Sequence, residues 1–329
     1  MKWLVLTASM LGLLSAAADC ALVDFEKGLL FPQELGGMPC EQSEKYNNES
    51  FGYTVFYGLG DSFSAEVSIL PLGRTDIGSG PSADGVDVVL DSVDAMLKRQ
   101  DEQGEISGVR KRGSVIVPKD GKLQFVNAVY QFSEPRVEEG LTNAVPRIAS
   151  VYATAAHENF VKVIFRFDFT ENDKARAMAE RLVQQLVEIL TAQPSAEDLL
   201  LAACDAAVYN PSDYGGRVAA QAVFQKAQEM GELNVYDAFF VWPQGYSKPK
   251  NADLLLAAYF AGMLKTILPQ GLESGGEFEA FTSMLTAYDA MRERDDIESI
   301  DRLDTWSKAE DKAALYQKLL IEFEYAAPE

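Results

Sequence analysis

The chain has 329 residues and carries 29 Lys and Arg against 50 Asp and Glu, a formal charge of −21. With no basic surplus to neutralise phosphates, nucleic acid and anionic lipid are disfavoured as partners. One histidine and three cysteines cannot supply a typical zinc shell.

The first eighteen residues read as a secretory signal peptide. Lys2 gives a positive start, Trp3 to Leu14 is a short apolar run, and Ser15-Ala16-Ala17-Ala18 is a small-residue cleavage site. The run is too short for a membrane span and no stop-transfer pattern follows. The mature chain is expected to begin at Asp19, in the periplasm or outside the cell. Losing Lys2 takes the formal charge from −21 to −22. Export to an oxidising compartment makes a Cys20–Cys40 bridge an expectation, closing a loop for about 3 kcal/mol. Cys204, inside the apolar run Leu199 to Cys204, is expected to be a buried thiol. A lipid-modified Cys20 is disfavoured, because Ala17 and Asp19 stand where a lipobox needs Leu and a small residue.

Residues 19–193 alternate like a sheet. Phe63, Ala65, Val67 and Ile69 oppose Ser64, Glu66 and Ser68; Val161, Val163, Phe165 and Phe167 oppose Lys162, Arg166 and Asp168. Turns at 58–62, at Lys119-Asp120-Gly121 and at His157-Glu158-Asn159 predict hairpins joining 51–57 to 63–70, 106–117 to 122–133, and 147–156 to 160–168. The glycine-rich stretch 73–85 predicts a mobile loop. Two helices are predicted. Over 87–102, Val89, Val93, Met96 and Leu97 share a face. Over 171–191, Ala175, Met178, Leu182, Leu186 and Ile189 do, with Thr170 and Asp173 resembling a capping box. Helices on an antiparallel sheet make this an α+β domain, an αβα sandwich.

After Gln193-Pro194-Ser195 the period changes from two to 3.6. Residues 194–329 predict an all-α domain with helices near 196–208, 215–230, 252–267, 276–294 and 307–323. Its frequent alanines allow close helix packing, as in an antiparallel bundle. The run Leu254 to Leu264 meets Lys265 after eleven residues and reads as a buried helix, so no membrane span is expected after signal cleavage.

Over roughly residues 45–192, the order of elements resembles PsbP-like αβα sandwiches. The stretch Ile148-Ala149-Ser150-Val151-Tyr152 through His157-Glu158-Asn159-Phe160-Val161-Lys162-Val163 looks like their closing hairpin, and the long helix after it like their last helix. The resemblance implies a protein that binds or assists assembly rather than a catalyst. It carries over no functional residue.

Gly60-Asp61-Ser62-Phe63-Ser64 resembles the nucleophile block of GDSL-type esterases, whose serine needs a histidine base held by an aspartate. The only histidine is His157, with Thr154 where that family has Asp, and Phe63 to Leu70 alternates as a strand. A β-turn explains the motif. The acids Glu293, Asp295, Asp296, Glu298, Asp301 and Asp304 are interleaved with Arg292, Arg294 and Arg302 and lack a calcium-loop spacing, so no metal or other cofactor is called. A carboxylate-based, glycosidase-like hydrolase needs no histidine and stays open as the alternative.

The candidate binding residues are Phe239, Phe240, Trp242 and Tyr246, around Pro243-Gln244-Gly245, with Lys248 and Lys250 beside them. An aromatic loop with local positive charge suits an acidic peptide, a sugar or a small anion. The competing reading is a helix end whose aromatics plug the bundle. The sequence thus predicts a protein of the cell envelope that binds an envelope protein or a small ligand.

Overall fold

The computed structural model describes residues 20–138, 141–231, 239 and 248–326. Two compact units emerge. One holds Asp24–Pro194 with Asp213–Gly215; the other holds Ser195–Ser212 and the chain from Gly216 onward, with residues 20–23 grouped to it. The architecture is an antiparallel sheet flanked by helices, followed by a largely α-helical region.

In chain order the first unit runs β1 (Cys20–Asp24), β2 (Leu29–Pro32), β3 (Glu34–Leu35), β4 (Met38–Lys45), β5 (Tyr53–Leu59), β6 (Phe63–Leu70), α1 (Val86–Gln103), β7 (Ser107–Val117), β8 (Phe125–Glu138), β9 (Leu141–Ala156), β10 (Asn159–Asp168) and α2 (Asn172–Thr191). Eight strands form one sheet in the order β3-β4-β5-β6-β10-β9-β8-β7. The pivotal pairing is β10 with β6, which brings Val163 opposite Val67 and joins the two meanders.

Side chains opposite one another in antiparallel strands share a face. One face is covered by α1. Val86, Val89, Val93 and Leu97 pack on Ala128, Tyr130, Val151, Ala153, Phe160 and Ile164. The other face carries a row that can be followed across the sheet: Val55, Val67, Val163, Tyr152, Asn127 and Val115. Helix α2 lies on this side and buries Ala175, Met178, Leu182, Leu186 and Leu190. Gly36 makes close approach possible there: it has φ +65°, and a Cβ on it would stand 2.9 Å from the Leu182 Cβ.

Several local readings change. The capping box expected at Thr170 and Asp173 does not form; a 3-10 turn covers Phe169–Glu171 and α2 begins at Asn172 without a side-chain cap. The capping box belongs instead to Ser195 and Asp198, at the start of the next helix. Leu190 takes the buried place assigned to Ile189, one residue on and nearer the 3.6 period. The Asp120-Gly121 turn is wider than a tight hairpin. Pro118 has no N–H to continue the ladder, and the Gln124 side chain donates to the Pro118 and Lys119 carbonyls at 3.0 and 2.9 Å. The glycine-rich segment 73–85, expected to be mobile, is pinned. Gly80 and Ala155 exchange backbone hydrogen bonds of 2.8 and 3.2 Å, and Ile77 joins the core under α1.

The second unit contains α3 (Ala196–Tyr209), α4 (Tyr214–Met230), α5 (Ala252–Ile267), α6 (Glu277–Glu293), α7 (Asp301–Ser307) and α8 (Lys312–Ala326). The short α7 was not foreseen. Small residues set the α5–α6 distance: a Cβ at Gly262 would lie 2.5 Å from the Glu279 carbonyl oxygen and 2.7 Å from the Ala280 Cα. The segment Ala252–Gln270 is long and apolar enough to cross a membrane, and 61 % of that window is buried inside the fold. Cys204 is fully buried on α3, where burial, then the neighbouring Asp205 charge, pushes its thiol up to about 12.

Candidate functional site

Helix α2 is set to one side of the sheet. Its most buried stripe packs on the sheet, but the adjacent stripe of Ala179, Val183 and Val187 is only half-buried. Facing that stripe are Val117, Pro118, Asn127 and Tyr152. Between them lies an open groove of about 680 Å³, contained wholly in the first unit. That volume is in the range that takes a small organic molecule.

Tyr152 and Asn127 are direct cross-strand neighbours on β9 and β8. Tyr152 is 4 % exposed and Asn127 9 % exposed. Burial drives the Tyr152 hydroxyl up to about 12, against the opposing hydrogen bonds from Ser150 and Asn127, so it stays protonated at neutral pH. The Asn127 Oδ1 is buried and has no hydrogen-bond partner. Buried amide oxygens are nearly always paired, so this orphan on the groove lining is unusual. The rim is charged: Asp120, Glu180 and Glu188 against Arg176. No signal in the sequence pointed here, because the groove is made by where α2 sits, not by a motif.

The residues singled out from the sequence are placed differently. Ser62 caps the far end of the sheet, where its Oγ donates to the Asp168 carboxylate at 3.1 Å. Arg136 clasps the same carboxylate with two bonds of 3.0 Å, and Arg147 adds a third donor. Both arginines also bond the Asp61 carbonyl, at 2.9 and 2.8 Å. Burial raises the Asp168 carboxyl, but the bonds from Arg136, Arg147 and Ser62 outweigh it, holding the carboxyl below the ordinary range. His157 occupies the opposite end of β10, with Nε2 2.9 Å from the Leu190 carbonyl oxygen. The ten residues of β10 separate it from Ser62 and Asp168, about 30 Å at the usual strand rise. No Ser–His pair forms, and Asp168 is an arginine-bound anchor.

Phe239 is fully buried. Its ring sits 5.1 Å from Phe281, 5.9 Å from Trp306, 6.2 Å from Tyr259 and 6.3 Å from Tyr316. Its carbonyl accepts from Arg302 at 2.8 Å. This residue plugs the helical unit, as the competing reading had it, and does not face a ligand. Lys248 and Lys250 are exposed. Phe240, Trp242 and Tyr246 lie outside the described residues, as do residues 1–19 and the side chain of Cys20 in the expected bridge. Cys40 is half-exposed, with its Sγ 3.8 Å from the Gln42 carbonyl oxygen.

In the acidic run, Asp304 accepts from Tyr288 and Ser299, Asp296 accepts from Ser212, and Arg292 donates to the Ile297 carbonyl at 3.1 Å. These acids organise the turn between α6 and α7. Among the described residues no group of three or more His, Cys, Asp or Glu is placed to hold a metal ion. Compared with protein-family models and with curated proteins, the chain matches none.

Proposed function

We propose that this chain is an exported cell-envelope protein that binds a small, mainly apolar ligand in the groove beside α2. The observation that carries the reading is the unpaired apolar stripe Ala179, Val183 and Val187, facing a preformed cavity of about 680 Å³. Apolar side chains held half-open over a cavity leave contact area for a ligand to cover. The engagement of Ser62 with Asp168, remote from His157, favours binding over esterase chemistry. The PsbP-like order of elements and the leader sequence agree with an exported binding protein.

The test uses the neutral dye N-phenyl-1-naphthylamine, which brightens in apolar sites. The purified chain should enhance its fluorescence saturably, and Val183→Glu should abolish the enhancement with little change in melting temperature. An unaltered titration in a folded Val183→Glu protein refutes the groove. Amino-terminal sequencing of protein from its own envelope should begin at Asp19.

A further inference from the structure

We infer that the groove selects an uncharged ligand whose apolar body ends in a hydrogen-bond donor, an alcohol or N–H group, which Asn127 Oδ1 accepts. This rests on the groove being a ligand site and specifies its chemistry.

Three observations converge. First, Asn127 is 9 % exposed, lines the groove, and its Oδ1 has no partner. Its amide already hydrogen-bonds the Tyr152 hydroxyl, which fixes the side chain and leaves the oxygen as the open valence. A buried acceptor without a donor carries its desolvation penalty in the free protein, and a ligand that brings a donor recovers it. A ligand that brings only an acceptor does not.

Second, the rim discriminates against anions. Asp120, Glu180 and Glu188 stand against the single Arg176, and Arg176 is already 3.4 Å from Glu180. Three acids minus one base leave a local formal charge of −2, on a chain whose total is −21. A carboxylate entering the groove meets like charge and finds no unshared cation on this rim.

Third, the floor discriminates against a full positive charge. Val117, Pro118, Ala179 and Val183 surround the position, and one neutral amide oxygen does not compensate an ammonium stripped of water. A neutral donor satisfies the floor and is indifferent to the rim.

The isomers 1-decanol and methyl nonyl ether have the same atoms and differ in the donor. Together with decanoate and decylammonium they are tested as displacers of N-phenyl-1-naphthylamine from the full chain at pH 8. The alcohol should displace the dye at a concentration about tenfold below the ether, the difference one recovered hydrogen bond makes. Decanoate and decylammonium should both be weaker than the alcohol. In Asn127→Leu the dye should still bind, and the gap between alcohol and ether should fall below about twofold.

Equal displacement by the two isomers overturns the inference, as it would if a water filled the valence at Asn127. Tightest binding by decanoate or by decylammonium overturns it too, as does a gap that survives Asn127→Leu. The native comparison needs no variant, so a misfolded Asn127→Leu leaves the test standing. Failure of the native chain to bind the dye sinks the groove reading itself, which is a separate result from binding without head-group preference.

Discussion

Asp168→Asn removes a charge with almost no change of shape, at the point where four strands are tied together. The carboxylate is 6 % exposed and accepts two bonds of 3.0 Å from Arg136, one from Arg147 and one of 3.1 Å from Ser62. Removing one member of a buried ion pair costs roughly 3–5 kcal/mol, chiefly by stranding the other charge. Here the stranding is incomplete. Arg136 keeps 22 % side-chain exposure and can rehydrate, and Arg147 retains Glu134 at 3.3 Å. The lower end, about 3 kcal/mol, is therefore expected. Urea denaturation of the full chain at pH 7 should show the loss as a lower midpoint at unchanged slope for the unit containing the sheet. The pH dependence gives an independent check. The folded Asp168 carboxyl sits below its ordinary 3.8, so the folded state binds this proton less readily than the unfolded one. Its stabilisation is complete above the unfolded value and disappears as pH falls through the folded value. The difference between native and Asp168→Asn proteins should be constant above about pH 5 and shrink below about pH 4. A loss under about 1 kcal/mol at neutral pH, or a difference independent of pH down to unfolding, would show that the clasp contributes no more than an exposed pair does.

Other residues give sharp outcomes. Gly262→Ala gains about 1 kcal/mol of helix propensity, yet it places a methyl 2.5 Å from the Glu279 carbonyl; because the obstacle is backbone, a net loss of about 1–3 kcal/mol is expected, and a raised melting temperature would refute the close approach. Phe239→Ala empties the centre of a five-ring cluster and should cost about 3–5 kcal/mol, whereas Lys248→Ala at the surface should stay within about 0.5 kcal/mol; similar losses in thermal melts would contradict the plug. Glu158→Gly relieves a non-glycine residue at φ +57° in the β9–β10 turn and should stabilise by about 0.5–1 kcal/mol, with no gain refuting strain there. Thiol counting on denatured, unreduced protein should find one reactive thiol, Cys204, if Cys20 and Cys40 are bridged; three thiols would refute the bridge.

Local sequence determined what a one-dimensional period can carry. Alternation over 63–70 and 160–168 placed Val67, Ile69, Val161 and Val163 on a common side of their strands, and they are buried together. The 3.6 period set the buried stripe of α2 from Ala175 to Leu186, and the change of period after Pro194 marked where strands give way to helices. Short strands such as Glu34–Leu35 carry too few residues to show a period, and α7, only seven residues long, was missed for the same reason. Tertiary structure decided everything that depends on which distant segments meet. The β10–β6 pairing put the length of a strand between His157 and Ser62, so a motif that looked catalytic became half of an arginine-bound turn. Packing turned Phe239 inward, because an aromatic in a loop belongs to whichever cavity the neighbouring helices leave open. The groove followed from a sideways displacement of α2, which left Ala179, Val183 and Val187 facing Asn127 and Tyr152. Each of those residues obeys its local pattern, and only their three-dimensional assembly leaves a space between them.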